Sequence, residues 1–533
     1  MKLKPDKANL HSNTTAQINP VLKLDWRYII FIILSFVISM IARFPFMNHI
    51  SSNWRSSQTL LTSFWFQKEG ISLFHSQLPL YGPSWQVPFE FPIYQALSVL
   101  FSNTTHVDLT LSSRIISVTS YYIVAILLLL LCLKFLDSKF LAATILWVFL
   151  WLPYTIRYST EILIDYSSVA LALGYILGLK TFMDSPRNLL LFIFTVIVGA
   201  LGAMVKITTM AITIIPAIFI VLDGIQSWGI VRDDFVRFKT FINKAQKHIS
   251  SFLMLLAIAV LPLFAGAQWT KFADSIKQTN IFTVWLTSPQ LIEWNFGTWE
   301  QKTSFANWWK WLLMINNYFF IGGILLIFAV SAIAFLYKMP SKNRSFLGAA
   351  LTGAILTIFI FFNLYQHDYY YIAISAYMSV LIGFGIYYLT KSLLQQNKTW
   401  WIALNAIFFL FVIMKGIEQY KAFQTVNDVQ TKNVEKKYIP LAKQVAENTP
   451  KNKYIISLQT SWYPDFVLYT ERKSLIFSEM EEKIYSCDLL NKYDYRTIVV
   501  VDHDPAIEKR LKKVLSCFKS VKLLTPNIYR ILH

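Results

Sequence analysis

Charged residues are scarce in this chain, and their scarcity decides its class. Only 15% of the 533 residues are Asp, Glu, Lys or Arg, whereas a soluble protein has about a quarter. Hydrophobic residues make up 55% of the chain and aromatic residues 16%. This composition excludes a water-soluble globular protein and predicts an integral membrane protein.

Cysteine and histidine are also few, with three and eight residues. No group of His, Cys and Glu has the spacing of metal ligands. We therefore predict no metal and no other cofactor, although a divalent ion between a phosphate and Asp368 stays open. Cys132 lies in an apolar stretch. An oxidising compartment would allow Cys487 and Cys517 to pair, but we favour two free buried thiols.

Signatures of nucleic-acid binding are absent as well. The net charge is +19, but much of this excess falls in short loops between apolar segments. In such loops, retained positive charge and anionic lipid headgroups account for the excess. No arginine-rich patch or nucleic-acid-binding fold pattern is present. We therefore predict no nucleic-acid partner.

Long apolar segments are what the sequence does contain. A helix needs about 20 mostly apolar residues to cross a hydrocarbon core of about 30 Å. We predict about eleven such helices, near 28–47, 115–133, 140–156, 162–182, 188–205, 207–223, 250–268, 312–337, 346–363, 370–390 and 400–417. Lys206 is the only charged residue that divides the fifth of these segments from the sixth.

Lysine and arginine fall in every second loop, which predicts the orientation. They concentrate in the segments 1–27, 134–139, 180–187, 232–247, 338–344 and 391–398. Because short cytoplasmic loops retain positive charge, we place the N-terminus inside. The loops 48–114, 269–311 and 364–369 and the tail after Lys415 are then outside. No small-residue cleavage site follows the first segment, so we predict a span there and not a signal peptide.

The chain changes character at about residue 418, where charged residues become frequent. Short β-rich stretches at 454–458, 474–477, 497–501, 521–524 and 528–531 alternate with helical ones at 433–447 and 505–517. We therefore predict a cytoplasmic tail (1–27), a polytopic all-α membrane domain (28–417) with an outer loop at 48–114, and an extracytoplasmic small α/β domain (418–533).

The outer loop contains the first candidate residues. Glu90 lies between two phenylalanines and just before Pro92, so its backbone is expected to be extended. A carboxylate there can face a cavity, as a general base or as a ligand for a sugar hydroxyl. Alternatively, it caps the helix that begins near Pro92. Trp54 and Gln58 share a helical face beside Arg55, whose guanidinium suits a phosphate. Interfacial anchoring plus an ion pair with Glu69 or Glu90 is the alternative for these three.

Further candidates lie at the ends of predicted spans, where charged groups cost free energy. Glu161 and Asp165 stand one helical turn apart and either line a cavity or favour a helix N-terminus. Lys206 either holds a phosphate or reaches to the membrane interface. The run of His367, Asp368, Tyr369 and Tyr370 either binds phosphate or sugar, or belongs to an aromatic belt. All of these candidates fall on the predicted outer side, as one polar cavity opening there requires.

These motifs resemble those of GT-C glycosyltransferases of the family 39 type, which include protein O-mannosyltransferases and the lipid A aminoarabinose transferase. Bacterial members have Trp-Arg-Gln-x-x-Thr in the first outer loop, followed by Glu-Phe-Pro. This chain has Trp54-Arg55-Ser56-Ser57-Gln58-Thr59, which is longer before its glutamine, and then Glu90-Phe91-Pro92. Arg114, Lys206 and the run from His367 also resemble family positions. The likeness covers roughly 28–415.

One departure from the family concerns the base. Better-known relatives have an Asp-Glu pair in the first outer loop, whereas Asn48 and His49 stand near the expected place here. By similarity, Glu90 is the first choice for the catalytic carboxylate. Glu161, Asp165 and His49 are the reserves.

The resemblance implies a membrane enzyme of the bacterial cytoplasmic membrane. A sugar would pass from a polyprenyl phosphate to an envelope glycan, polysaccharide or protein on the outer face, with inversion at its C1. Arg55, Lys206 and His367 would hold the donor phosphate. The substrate-binding residues would be Trp54, Gln58, Asp368, Tyr369 and Tyr370.

Two other classes of protein stay open. A secondary transporter or a flippase for lipid-linked sugars would share the spans and the buried charges. Such transporters usually contain internal repeats, and none is visible in this sequence. A non-catalytic scaffold for envelope enzymes is the other alternative, and it would tolerate the loss of the Glu90 charge.

Overall fold

Two packed regions make up the structure. The computed structural model describes residues 26–47, 54–228, 246, 248–393, 398–461 and 463–532. The first region is a bundle of long apolar helices, and the second is a small domain in which helices pack on a sheet. The predicted fold class, a polytopic helical membrane protein followed by a small α/β domain, is confirmed.

Helices dominate the bundle because a backbone in lipid must satisfy its own polar groups. In chain order they are α1 (Trp26–Arg43), α2 (Trp54–Glu69), α3 (Ile93–Thr105), α4 (Leu109–Phe135), α5 (Lys139–Trp151), α6 (Pro153–Ser159), α7 (Asp165–Asp184), α8 (Leu189–Met210), α9 (Ile214–Ser227), α10 (Ile249–Lys277), α11 (Ile292–Phe296), α12 (Trp299–Thr303), α13 (Phe305–Phe319), α14 (Leu326–Ala334), α15 (Ser341–Ile360), α16 (Ser375–Leu393) and α17 (Lys398–Asn433). Short 3₁₀ helices lie at Phe44–Phe46, Ala211–Thr213, Val284–Leu286, Leu336–Lys338, Phe362–Gln366 and Asp368–Ile374.

Eight helices in the described part of the chain are long and apolar enough to cross a membrane, and α5 with α6 makes a ninth if that bent pair is one span. Leu189–Gln226 counts as one of the eight, yet it reverses direction. Lys206 has a φ of −161° and a ψ of 89°, outside the helical range. Asp223 then lies 3.5 Å from Lys180, which also pairs with Asp184 at the end of α7. Because α8 begins beside that same end, the segment is a hairpin, as its predicted division at Lys206 requires.

The predicted span at 312–337 is wrong as a single helix. It is interrupted between the end of α13 and the start of α14, where Ile321, Gly322 and Gly323 have φ angles of 53°, 63° and 102°. Two glycines at positive φ favour this break, because glycine has no Cβ to clash with the backbone. Most of the apolar run is therefore divided between an amphipathic helix, α13, and the nine-residue α14.

Charged loops sort to the two ends of the bundle. Lys134 at the end of α4 pairs with Asp184 at the end of α7, with 3.0 Å between Nζ and Oδ2. We call this the Asp184 end. At the opposite end, Arg114 donates a hydrogen bond to the carbonyl oxygen of Thr160 at 2.6 Å, and the α8 hairpin turns at Lys206. We call this the Lys206 end.

The C-terminal domain is built on a five-stranded sheet of order β2-β1-β3-β5-β4. Its strands are β1 (Tyr454–Leu458), β2 (Ser474–Phe477), β3 (Tyr495–Val500), β4 (Ser520–Thr525) and β5 (Ile528–Leu532), and its helices are α18 (Ile439–Asn448), α19 (Asp465–Thr470), α20 (Glu479–Ile484), α21 (Cys487–Asn491) and α22 (Pro505–Leu515), preceded by a π-helical turn at Val434–Tyr438. β1 runs parallel to β2 and β3, whereas β5 is antiparallel to β3 and β4. All five predicted strands are confirmed.

A disulfide joins Cys487 and Cys517, so the expectation of two free thiols is wrong. The Cα atoms of the two residues are 4.8 Å apart. Asn491 donates a hydrogen bond to the carbonyl oxygen of Cys517 at 2.9 Å, which holds the segments after α22 and around α21 side by side. Among the described residues, Cys132 is the free cysteine, and it is buried.

The long loop after α1 shares a hydrophobic core with the C-terminal domain. The backbone N–H groups of Ser474 and Ile476 in β2 donate to the carbonyl oxygens of Pro79 and Leu80, at 3.1 and 2.8 Å. The loop thereby pairs with the edge of the sheet at β2, where the fully buried Tyr81 bridges to Leu475. This packing fixes α2 and the segment around Glu90 between the sheet and the bundle.

Candidate active site

An ion pair between Arg55 and Glu90 is the first feature of the site. Arg55 is the second residue of α2, and its Nη2 lies 2.8 Å from Oε2 of Glu90. Their side chains are 13% and 11% exposed. Gln58, one helical turn along, accepts a second hydrogen bond from Arg55. Gln95 on α3 donates to the other carboxylate oxygen of Glu90 at 3.1 Å.

Backbone contacts hold Glu90 in place. The N–H of Phe91 donates to the carbonyl oxygen of Met204 at 3.0 Å, two residues before Lys206. On the other side, the indole of Trp269 on α10 donates to the carbonyl oxygen of Phe89 at 3.1 Å. Glu90 bonds to side chains, and α3 has no side-chain cap hydrogen bond at its start, so any stabilisation of α3 by Glu90 comes from its charge near the helix N-terminus.

A second buried ion pair joins Lys206 to Asp165. Their side chains are 10% and 2% exposed, so Lys206 points into the protein and does not reach to the interface. The ammonium lies 4.3 Å from the ring centre of Tyr370 and 5.3 Å from that of Tyr369. Oδ2 of Asp165 is buried and has no hydrogen-bond partner among the described residues.

Tyr369 and Tyr370 connect the two ion pairs. Both tyrosines are neighbours of Arg55, and both rings lie beside the Lys206 ammonium. Arg55, Glu90, Lys206 and Asp165 therefore belong to one polar site at the Lys206 end. The prediction of one polar cavity that joins the loop after α1, Glu161, Lys206 and His367 stays a prediction, because the pocket beside Arg55 and Glu90 has a volume of only about 10 Å³.

Glu161 is held separately from Asp165. The structure begins α7 at Asp165, so Glu161 lies in the turn before the helix. Its Oε2 accepts a hydrogen bond from Ser56 of α2 at 3.1 Å. The next serine, Ser57, donates to the carboxylate of Asp465 in the C-terminal domain. The two serines thus tie the start of α2 to one carboxylate of the bundle and to one of the domain.

Asp368 has a partner that sequence reasoning missed. Arg157 of α6 lies 3.0 Å from its Oδ2 and 4.8 Å above the ring of Tyr158. Tyr154, also on α6, donates to the backbone carbonyl of Asp368 at 2.6 Å. Asp368 therefore binds Arg157 in this state. The available signal was the position of Arg157, one helical turn before Glu161.

His367 packs against Trp294 of α11, with 5.4 Å between ring centres. Burial lowers the pKa of His367 below its usual 6.5, although the neighbouring Asp368 opposes the change. The imidazole is then neutral at pH 7, and it can offer a phosphate an N–H donor but no full charge.

The remaining predicted residues have simpler positions. Trp54 begins α2 and is half-buried. His49 lies outside the described residues, as does Asn48. In the ranges that the structure describes, no group of three or more His, Cys, Asp or Glu residues is arranged to hold a metal ion.

Sequence comparisons add little, because no family model and no curated protein matches the chain. Solved structures do match. ArnT from Cupriavidus metallidurans aligns in its apo state over 94% of this chain and 97% of its own, with a TM-score of 0.59 and 11% identity. Its complex with undecaprenyl phosphate aligns over 94% and 98%, with a TM-score of 0.60 and 11% identity.

A third similar structure comes from an archaeon. The oligosaccharyltransferase AglB from Archaeoglobus fulgidus, in complex with an inhibitory peptide and a dolichol-phosphate, aligns over 89% of this chain and 70% of its own, with a TM-score of 0.52 and 12% identity. The chain has the GT-C fold. This GT-C likeness includes the C-terminal domain as well as the bundle. At such low identity it establishes the architecture, and the chemistry has to be argued from the residues.

Proposed function

We propose that this GT-C protein is an inverting glycosyltransferase that moves a sugar from a polyprenyl-phosphate donor to an envelope acceptor. The acceptor would be a lipid-linked glycan, a polysaccharide or a protein. The fold supports this proposal, because ArnT and AglB share it and their structures contain undecaprenyl phosphate and a dolichol-phosphate. The proposal depends chiefly on the site.

One observation carries the proposal: two buried cations, each paired with a carboxylate, meet at Tyr369 and Tyr370. Buried ion pairs are expensive to maintain, so their presence points to a use beyond stability. A phosphate that leaves during sugar transfer needs cations, and an attacking hydroxyl needs a base. Arg55 with Lys206, and Glu90 with Asp165, supply both.

Partner exchange would couple donor binding to activation of the base. The donor phosphate would draw Arg55 from Glu90 and Lys206 from Asp165, because its oxygens accept charge-assisted hydrogen bonds from both cations and gain negative charge as the bond to C1 breaks. Loss of the guanidinium makes the Glu90 carboxylate a stronger base. The acceptor oxygen would then form a bond to C1 of the sugar, and the bond from C1 to the phosphate oxygen would break. The acceptor proton would pass to Glu90.

Other residues would orient the substrates. His367 would donate an N–H to the phosphate. Gln58 would position Arg55, and Asp368 would be released to a sugar hydroxyl only when Arg157 turns toward the phosphate. Trp54 and the two tyrosines would offer aromatic faces to the sugar ring. Glu161, Asp165 and His49 remain the reserve carboxylates and base.

The orientation is also part of the proposal. Positive loops at the Asp184 end favour the cytoplasm for that side, and the disulfide between Cys487 and Cys517 suits an oxidising exterior. The protein would lie in the cytoplasmic membrane of a bacterium, with its tail (1–27) inside. The catalytic membrane domain (28–417) and the extracytoplasmic domain (418–533) would meet at the outer face.

The test is transfer of a radiolabelled sugar in proteoliposomes. Glu90→Gln and Arg55→Ala should each lower the rate about a thousandfold, because each removes a group that acts in the transition state. Glu69→Gln is the matched control, since Glu69 ends the same helix, is 40% exposed and pairs with Lys473 at 2.7 Å. It should leave transfer unchanged. Normal turnover by both site variants refutes the assignment, and donor movement across the bilayer without transfer would favour a flippase.

A further inference from the structure

Gln95 is a buried polar residue at the site to which the proposed function gives no role. It is the third residue of α3 and is 2% exposed. Its Nε2 donates to Oε1 of Glu90 at 3.1 Å. Its own Oε1 is buried and has no hydrogen-bond partner among the described residues. A buried acceptor without a partner is destabilising, so this arrangement calls for a physical reason.

The charge of Glu90 explains the orientation of the amide. If the amide were reversed, its oxygen would face a carboxylate oxygen, and two acceptors would repel each other. The orientation in the structure leaves the amide oxygen unpaired but gives the carboxylate a donor. A hydrogen bond to an ionised group is stronger than one between neutral groups. The contact with Glu90 therefore outweighs the loss at the other end of the amide.

The backbone at Gln95 is held in place on both sides of the turn into α3. Tyr94, the preceding residue, donates its hydroxyl to the carbonyl oxygen of Ser113 on α4 at 2.7 Å. The N–H of Ile93 donates to the carbonyl oxygen of Phe91 at 2.9 Å. The amide therefore has a fixed place from which to bind the carboxylate.

The two oxygens of the Glu90 carboxylate have different partners. Oε2 binds Arg55 at 2.8 Å, and Oε1 binds Gln95. These two bonds hold the carboxylate in the part of the chain that the structure describes. In the proposed mechanism, Arg55 leaves for the donor phosphate. Gln95 then continues to hold the carboxylate, and Oε2 is the oxygen that becomes free.

We propose that Gln95 is a positioning residue for Glu90, because it occupies Oε1 and so makes Oε2 the oxygen that takes the acceptor proton. As the acceptor oxygen bonds to C1, its O–H bond breaks and the proton binds to Oε2. Oε1 keeps its hydrogen bond from Gln95 throughout. The inference rests on the proposed function and adds a residue to it. A donor to a carboxylate also favours the ionised form, so Gln95 extends the activity of the base to lower pH.

Other charged groups also act on Glu90. They are Arg55 from α2, Lys206 from α8 with its partner Asp165, and Lys277 from α10 with its partner Asp274. All of them remain in the variants of Gln95 described next. A change in the pH dependence of those variants can therefore be assigned to the amide.

The experiment measures transfer by the full-length protein in proteoliposomes from about pH 4 to pH 9, with a radiolabelled polyprenyl-phosphate sugar as donor and a total membrane extract of the source organism as acceptor. Gln95→Met keeps an unbranched side chain but removes the hydrogen bond. It should lower kcat about tenfold, leave the KM for donor within about twofold, and raise the midpoint of the acid limb by about one pH unit. Gln95→Glu places a second carboxylate beside Glu90 and should raise that midpoint further.

Ser98→Ala is the matched control. Ser98 is fully buried about one turn further along α3, and its hydroxyl donates to the carbonyl oxygen of Tyr94 at 2.9 Å within the same helix. This variant should leave kcat and the pH profile unchanged. A merely structural role of Gln95 would lower the amount of folded protein without moving the acid limb.

Two results would overturn the inference while Glu90→Gln is inactive. One is an acid limb that stays in place in Gln95→Met, and the other is an equal loss of kcat in Ser98→Ala. Failure of the proposed function has a different signature, since Glu90→Gln would then keep its activity or the unsubstituted protein would transfer no sugar.

Discussion

The two ends of the bundle bury the carboxylates of their ion pairs to different degrees. At the Lys206 end, the four side chains of the site are 2–13% exposed. At the Asp184 end, the carboxylates of the ion pairs are 35–67% exposed and their lysines 13–26% exposed. Exposed pairs contribute little to stability and need no special role. Buried pairs carry a desolvation penalty, so we expect a functional role for the charges at the end where the pairs are buried.

Lys206 and Lys180 illustrate the difference. Each is a lysine within an apolar run, and each pairs with an aspartate. Lys180 contacts two carboxylates of a positively charged loop region at the Asp184 end. Lys206 interrupts its helix and lies over two tyrosine rings beside Arg55. The interrupted helix and the two tyrosine rings, more than the charge itself, distinguish Lys206, a candidate for ligand binding, from Lys180, whose charge fits the orientation in the membrane.

The largest expected effect would separate these two lysines. Lys206→Met should lower kcat/KM for transfer about a thousandfold, or about 4 kcal/mol, because the leaving phosphate loses a buried cation. Lys180→Met should change it by less than about twofold. Initial rates in proteoliposomes, with expression checked by gel filtration, measure both. Similar losses for the two variants would remove the functional distinction between the ends.

Cysteine chemistry also differs between the ends. Cys487 and Cys517 form a disulfide in the C-terminal domain, while Cys132 is a free thiol in the part of α4 near the Asp184 end. For a closed loop with a sequence separation of 30, chain entropy predicts that reduction destabilises the domain by about 3.5 kcal/mol. Limited proteolysis with and without reductant measures this change.

The control for the reductant is the Cys487→Ser/Cys517→Ser double variant, which should match the reduced protein and show no further response. Cleavage that is as slow after reduction as before would mean that the disulfide contributes nothing to the domain. Equal sensitivity of the unsubstituted and double variants to the reductant would point to a target other than this bond.

Local pattern was enough to predict much of the architecture. Apolar runs of span length and short Val- and Ile-rich strands depend on neighbouring residues, so the strands of the domain and the hairpin at Lys206 were foreseeable. The segment 312–337 was not, because Gly322 and Gly323 interrupt an otherwise apolar run. Glycine is common in membrane helices, and hydropathy alone therefore does not reveal a break.

The residues of the candidate site could be proposed from the sequence, but most of the contacts between them could not. Arg55 was expected to pair with Glu69 or Glu90, and only the fold decides for Glu90 and gives Glu69 to Lys473. The bond between Ser57 and Asp465 joins residues 408 positions apart. No periodic signal connects such positions, because their proximity results from the loop after α1 pairing with β2.

The smallest expected effect concerns Asp465. This residue is buried at the Lys206 end and has no ion-pair partner among the described residues, unlike the carboxylates of the site. Burial raises its pKa from 3.8 to about 6, and the hydrogen bond from Ser57 opposes the change. The folded state therefore holds the proton more tightly than the unfolded state. Its stabilising contribution is complete below pH 3.8 and is lost as the pH rises to about 6, by up to about 3 kcal/mol.

Asp465→Asn should abolish this pH dependence, so that α19 opens equally at pH 4 and pH 7. Hydrogen exchange of residues 465–470 across that range provides the measurement. Asp502→Asn is the control of opposite sign: burial raises the pKa of Asp502, but bonds from Lys437 and Thr460 outweigh it and lower the pKa overall. That variant should lose stability above pH 4. If the stability of α19 still depends on pH in Asp465→Asn, another group titrates at this contact. A carboxylate at the Lys206 end can then be buried without a cation at no cost to the stability of the fold.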